Sequence, residues 1–218
     1  MIQTIGLEKK FDAYTHLRYD DLTFETGKTY VLLGASGCGK STLLNMLAGV
    51  ITPTCGQILF DGKDMASASQ KQKDAFRIRE IGYIFQDFKL IEDMTVEDNI
   101  NILKLERVDT SGMDEVLASL GILDKKKKKV RRLSGGEKQR VAVARAFVKY
   151  PEIILADEPT GNLNYAIGKG VIEEMIRIAA GKTLVAVTHD DRLAPLFDCV
   201  IDVNTIVHTV SESEVQDV

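Results

Sequence analysis

Gly34-Ala35-Ser36-Gly37-Cys38-Gly39-Lys40-Ser41 follows an apolar run and precedes a segment of helical period. Its spacing is G-x-x-x-x-G-K-[ST], which suits a loop that cradles a polyphosphate. Backbone N–H groups must approach the phosphates closely, so the side chains of Gly34, Ala35, Ser36, Gly37 and Gly39 are small or absent. Cys38 is read as a small filler and not as a nucleophile. A helix starting near Lys40 aims its unpaired N–H groups and positive dipole end at the anion. Lys40 is placed to reach the β- and γ-phosphates, and Ser41 offers a hydroxyl to Mg2+.

Such a loop needs an acidic partner for the metal. The apolar run in "IILADE" ends in Asp157 and Glu158. Asp157 can hold Mg2+ directly or through water, and Glu158 can polarise an attacking water as general base. Alone, the pair would read as an ordinary acidic strand end; the phosphate loop gives it chemistry. A third stretch, "LSGGEKQR" at 133–140, sets Ser134, Gly135 and Gly136 before a helix-forming segment. Ser134 and Glu137 fit the S-x-x-E capping box. A capped helix N-terminus with two bare glycines also suits an anion, so the two readings are compatible.

Strand candidates at 30–36, 81–86, 152–158 and 183–189 alternate with helical patterns at 40–50, 134–150 and 164–180. That alternation predicts a mostly parallel sheet covered by helices, with ligands at the carboxyl ends of its strands. The first 30 residues and 56–64 read as short antiparallel strands with turns. Residues 87–132 read as a helical insertion, with helix patterns at 95–105 and 112–121.

The chain has 218 residues, 44% hydrophobic, with a formal net charge of −4, a composition that does not ask for nucleic acid as a partner. Three cysteines at unrelated spacings argue against a disulfide framework and fit a reducing compartment. The opening "MIQTIGLEKKFDAY" has no signal-peptide pattern, and no apolar run approaches the roughly 20 residues that span a bilayer. One charge run, "KKKKKVRR" at 125–132, reads first as a solvated loop; attraction to anionic lipid or to an acidic partner is the other reading.

Taken together these stretches resemble the ATP-binding cassette (ABC) ATPases. "GASGCGKST", Gly34–Thr42, matches the Walker A element; Gln86 in "YIFQDF" matches the Q-loop; "LSGGEKQR" matches the signature; "IILADE" matches Walker B; His189 in "VAVTHD" matches the H-loop. "TVEDNI" and "LADEPTGNLN" resemble the subgroup that serves lipoprotein release, macrolide or peptide export and a cell-division complex. The resemblance implies an α/β P-loop NTPase of RecA-like, mostly parallel sheet, with an antiparallel β subdomain and an α-helical subdomain of the ABC type. It implies one domain over 1–218, with an ATP-binding core at 1–86 and 133–218 and a helical subdomain at 87–132. The implied ligands are ATP and Mg2+. The implied partners are an integral-membrane permease and a second copy of the chain, which would place it at the cytoplasmic face of the cell membrane. In this family two cassettes dimerise head-to-tail, so Ser134, Gly135, Gly136 and Glu137 of one copy would face the γ-phosphate held by the other.

By the same resemblance Gln86 would touch Mg2+ or the attacking water, and His189 would contact the γ-phosphate. Adenine would stack on an aromatic residue about two dozen positions before the phosphate loop, which selects Phe11, with Tyr14 as the alternative. Two departures stand out. Asn164 replaces the usual aspartate of "GNLD", and the Lys/Arg run stands where the family often has proline. Asn164 keeps open a slow, nucleotide-switched module that moves no substrate. A DNA- or ribosome-acting ABC protein would usually bring a coiled-coil insertion or a second cassette, and a small-molecule kinase would leave the signature unexplained. Phe11→Ala should weaken ATP binding by about 1–2 kcal/mol, the scale of a stacking contact, and Tyr14→Ala much less; calorimetric titration of both variants ranks the two rings.

Overall fold

The computed structural model describes residues 1–12 and 15–209. Tyr14 lies outside the described residues. In chain order the strands are β1 (Ile2–Lys10), β2 (His16–Tyr19), β3 (Leu22–Phe24), β4 (Thr29–Leu33), β5 (Cys55–Phe60), β6 (Lys63–Asp64), β7 (Ile81–Ile84), β8 (Ile153–Asp157), β9 (Thr183–Thr188), β10 (Cys199–Asp202) and β11 (Val207–Thr209). The helices are α1 (Lys40–Leu47), α2 (Gln70–Glu80), α3 (Val96–Asn101), α4 (Met113–Ser119), α5 (Gly135–Phe147), α6 (Tyr165–Ile178) and α7 (Val203–Ile206).

Five strands form a parallel sheet in the order β10-β4-β9-β8-β7. Its central members are apolar on both faces, as a doubly covered parallel sheet requires. Alternate residues enter two cores. Val31, Ile154, Ala156, Leu184 and Ala186 face the side covered by α5 and α6. Leu32, Ile153, Leu155, Val185 and Val187 face the side that holds α1 and the second sheet. That second sheet is antiparallel, β11-β2-β1-β5-β6 with β3 beside β1. Its β1–β5 ladder shifts register between Ile5 and Glu8. Gly56 sits there at φ +90°, where a Cβ would lie 2.3 Å from the Gly6 carbonyl oxygen, so the irregularity needs glycine.

The four expected strands of the parallel sheet appear as β4, β7, β8 and β9. Two features were not expected. Helix α2 buries little of itself, with Lys73 its buried residue; it shows no apolar stripe, although Ser69 and Gln72 form a full capping box. Strand β10 is a half-exposed edge of four residues, too short to stand out in a pattern search. Between 87 and 132 lie α3, α4 and short 3-10 turns.

The basic run lies as a strap against residues 92–97. Val96 and Glu97 donate backbone N–H groups to Lys128 and Lys126, and Val130 and Arg131 donate to Met94 and Glu92, each at 3.0 Å. Its cations meet acids: Lys125 with Asp124 at 2.6 Å, Lys126 with Asp114 at 2.6 Å, Lys127 with Glu97, and Arg131 with Asp93 at 2.8 Å. The surface is charge-matched locally, as expected of a solvated face, and such exposed, solvent-screened pairs add little to stability.

A reciprocal ring pins the parallel sheet at its edge. Thr29 donates both its N–H and its hydroxyl to Asp198 Oδ2 at 2.8 Å, and the Asp198 N–H returns to Thr29 Oγ1 at 3.0 Å. The Thr29 N–H and hydroxyl hold the Asp198 carboxyl below its ordinary range. A depressed carboxylate stabilises the fold above its unfolded pKa, about 3.9, and loses that contribution as pH falls through the folded value. Asp198→Ala should therefore lower stability modestly at neutral pH, by about 1 kcal/mol or less because the carboxylate is exposed and screened by solvent, and the gap to wild type should narrow on acidification below about pH 4. Urea midpoints at the two pH values provide the check, and a constant gap would contradict the assignment.

Candidate functional site

Four loops leave the carboxyl ends of β4, β7, β8 and β9 at one end of the sheet. The register makes them neighbours: Leu33 pairs with Thr188, Asp157 with Val187, and Ile84 with Ala156. The residues just beyond line a cleft of about 370 Å3, formed by Ser36, Gly37, Gly39, Lys40, Ser41, Thr42, Gln86, Glu158 and His189. A larger cavity of about 530 Å3 lies elsewhere, among Phe60, Phe76, Arg79 and Ile153, and holds none of the residues selected from the sequence.

The glycine-rich loop turns through Gly37 at φ +81° and Gly39 at φ +102°. Gly39 is the N-cap of α1 and has no side chain to cap with, so the first amides of the helix are left for an anion. Gly34 permits close packing, since a Cβ there would sit 2.7 Å from Cys38 Sγ. The Lys40 ammonium folds back over the loop and donates to the carbonyls of Gly34 at 2.7 Å and Ala35 at 2.8 Å. Lys40 is 6% exposed, so its charge is concentrated at the loop rather than shared with bulk water.

Ser41 Oγ donates to Asp157 Oδ1 at 2.8 Å, joining the start of α1 to the end of β8. Burial pushes the Asp157 carboxyl above its ordinary range; the Ser41 hydroxyl opposes the rise, Glu158 adds to it, and Lys40 opposes it. A hydroxyl and a carboxylate so placed are hard oxygen donors of the kind Mg2+ takes, alongside substrate phosphates.

Glu158 occupies a left-handed conformation, φ +42°. A non-glycine residue pays about 1–3 kcal/mol for such a backbone. Its N–H donates to Val187 O at 3.0 Å, which holds the turn. The turn aims the carboxylate at His189, whose Nδ1 lies 3.0 Å from both carboxylate oxygens. The glutamate side chain is 12% exposed and the imidazole 64%, so Glu158 is shielded while His189 reaches into the opening.

Two groups of selected residues lie apart from this cleft. Ser134 caps α5: its N–H and Oγ donate to Glu137 Oε2 at 2.8 and 2.9 Å, and the Glu137 N–H returns to Ser134 Oγ at 3.3 Å. The Ser134 N–H and hydroxyl hold the Glu137 carboxyl below its ordinary value. Gly135 and Gly136 pack against Leu163 and Ile167, where a Cβ would come within 3.2 and 2.8 Å respectively. Phe11 is 50% exposed beyond the end of β1, with Lys9 Nζ 5.5 Å from its ring centre. Asn164, the departure from the family pattern, caps α6 by accepting the Ile167 N–H at 3.0 Å.

Three supporting residues escaped the sequence reading. Asn162 donates to the Gln86 carbonyl at 2.9 Å. Arg145 on α5 donates to Phe88 O at 2.7 Å and to Lys89 O at 2.5 Å, two residues of positive φ just after Gln86. Asn204 accepts the Ala35 N–H at 3.3 Å. Only Arg145 carried a signal, a lone cation within the apolar stretch "VAVARAF".

Residues 17–161 match the family described as "ABC transporter". A lipoprotein-releasing system ATP-binding protein LolD from Nitratidesulfovibrio vulgaris is 41% identical over 88% of this chain and 87% of its own length. The LolD of Bacteroides thetaiotaomicron is 36% identical over 91% of this chain and 94% of its own. Among solved structures, the dimeric bacterial ABC transporter cassette MJ0796 superposes with a TM-score of 0.80 at 27% identity, covering 96% of this chain and 98% of that one. MJ0796 is also known in a post-hydrolysis dimer bound to ADP and Pi, with a TM-score of 0.79 at 28% identity, over the same shares of both chains. The chain belongs to the ABC transporter family, and within it to the subunits that bind and hydrolyse ATP. Among the described residues, no helix is long and apolar enough to cross a membrane. Lys40→Ala, which removes the buried cation of the loop, should weaken Mg·ATP binding by about ten- to hundredfold, the worth of a hydrogen bond to a charged group; isothermal titration gives the answer, and an unchanged affinity would remove Lys40 from the site.

Proposed function

We propose that this chain is the ATPase subunit of a LolD-like complex that releases lipoproteins or exports related cargo, working as an ATP-clamped homodimer on a membrane subunit. One observation carries the dimeric reading. The cleft gathers the phosphate loop, Gln86, Glu158 and His189, while the capped N-terminus of α5 stands outside it, backed by Leu163 and Ile167. The cleft lacks its own Ser134, Gly135 and Gly136, which a second copy would supply, and MJ0796 is a dimeric cassette of the same fold. The lipoprotein reading rests on the LolD relatives at 36–41% identity.

In this reading Lys40 and the first-turn amides of α1 bind the β- and γ-phosphates, and Phe11 stacks the adenine. Ser41, Gln86 and Asp157 hold Mg2+, which when bound neutralises phosphate charge. Glu158 takes a proton from the attacking water. His189, within hydrogen-bond reach of Glu158, steadies charge developing on the γ-phosphate. Residues 87–132 form the helical subdomain, and the segment after Gln86 is the docking face for the membrane subunit. That assignment places the chain at the cytoplasmic face of the cell membrane. The tie from Arg145 to Phe88 and Lys89 links the signature helix directly to that segment.

Glu158→Gln keeps size and hydrogen bonding but removes the basic carboxylate. Turnover should fall by about a hundredfold or more, ATP should still bind, and the variant should accumulate as a dimer. Adding Ser134→Arg should dissolve that dimer by crowding the opposite nucleotide. Size-exclusion chromatography with light scattering, with and without Mg·ATP, reads both outcomes; full ATPase activity in Glu158→Gln would eliminate it as the base.

A further inference from the structure

Beneath the phosphate loop lies a side chain that none of the motifs includes. Tyr19, the last residue of β2, is 2% exposed. Its hydroxyl donates to the Gly39 carbonyl at 3.0 Å. Burial pushes its pKa upward, so it stays a neutral donor at physiological pH. Gly39 and Tyr19 interlock: a Cβ at 39 would lie 2.8 Å from Tyr19 Oη and 3.3 Å from Leu17 Cδ1.

The consequence follows from the planarity of the peptide bond. The Gly39 carbonyl and the Lys40 N–H share one plane and point in opposite directions. The carbonyl accepts two bonds, from Tyr19 Oη and from the Leu43 N–H at 3.0 Å, which engages both of its lone pairs. Held inward by β2, it turns the Lys40 N–H outward toward the cleft. Gly39, at φ +102°, has little conformational preference of its own to keep that plane in place.

We propose that Tyr19 is a positioning residue for the phosphate loop, a tether from the antiparallel sheet that orients the Gly39–Lys40 peptide for a nucleotide's phosphates. The tether acts on phosphate and not on base. It rests on the reading that residues 34–41 hold the phosphates of ATP, and the test separates the two. In Tyr19→Phe the ring still fills its place, but the hydroxyl is lost. Dissociation constants for Mg·ATP and Mg·GTP should both rise by about three- to tenfold, the net worth of one hydrogen bond, and by the same factor. Hydrogen–deuterium exchange should quicken at 34–42 and stay unchanged at 16–19. Unchanged affinities would overturn the proposal, as would faster exchange throughout β2, which would make Tyr19 a structural residue only. Lys40→Ala measured alongside isolates the underlying reading. If Lys40→Ala binds Mg·ATP normally, the phosphate assignment itself fails; if it loses binding while Tyr19→Phe does not, only the tether fails.

Discussion

A triphosphate carries more negative charge than one lysine can balance, so the chain must bring unpaired backbone N–H groups to it and hold them still. The rest of the architecture follows from that requirement. A helix start must face the ligand, which calls for a strand behind it and a sharp glycine turn between. That strand, β4, lies between β9 and β10, and its Tyr30, Val31 and Leu32 are buried. Because neighbouring strands run parallel and in register, whatever follows β8 and β9 emerges beside the loop. Leu33 opposite Thr188 and Asp157 opposite Val187 place Gly34, His189 and Glu158 side by side with no further device. Parallel pairing therefore converts distant positions in sequence into one cleft.

The cleft gathers like and unlike charges, Lys40, Glu158 and His189, beside Asp157. Burial raises the pKa of Asp157, and the Ser41 hydroxyl steadies its carboxylate. Glu158 follows in the chain but points elsewhere, because its backbone turns through φ +42°. Without that strained turn two adjacent carboxylates would leave the strand on opposite faces, as residues of a strand do. The turn keeps both near the cleft while giving each a different partner, Ser41 for one and His189 for the other. Strain of this sort persists where surrounding bonds over-determine it, and the Glu158 N–H to Val187 O bond is one such constraint.

Much of this was legible in the sequence because it is local. Residues 34–41 combine spacing, glycines and flanking elements in one stretch, and the apolar runs of β4, β7, β8 and β9 are unbroken. The capping boxes of α2 and α5 are equally local, yet only the second was recognised, because α2 shows no apolar stripe to accompany its cap. What stayed hidden depends on contacts between distant positions. Tyr19 reads as an ordinary core aromatic until Gly39 is seen against it. Asn162 and Asn204 read as loop polars until their partners Gln86 and Ala35 are known. Strand β10 shows alternating half-exposure at a sheet edge, a pattern that four residues cannot distinguish from a turn. The basic run was ambiguous for the same reason: its acidic partners Glu97, Asp114 and Asp93 lie between 12 and 38 positions away.

The start of α5 shows how one sequence meets a structural and a functional demand together. The capping box engages the amides of Ser134 and Glu137. The amides left in that first turn belong to Gly135 and Gly136, the two residues without side chains to obstruct an approach. In the proposed dimer, capping and anion binding would use different donors of the same turn and would not compete. Their inner faces are closed by Leu163 and Ile167, residues on either side of Asn164, which caps α6. A larger residue at 136 would strike the Ile167 side chain, which would have to shift. The two glycines differ in place: Gly135 is exposed at the helix start, while Gly136 is buried in the close packing between the starts of α5 and α6.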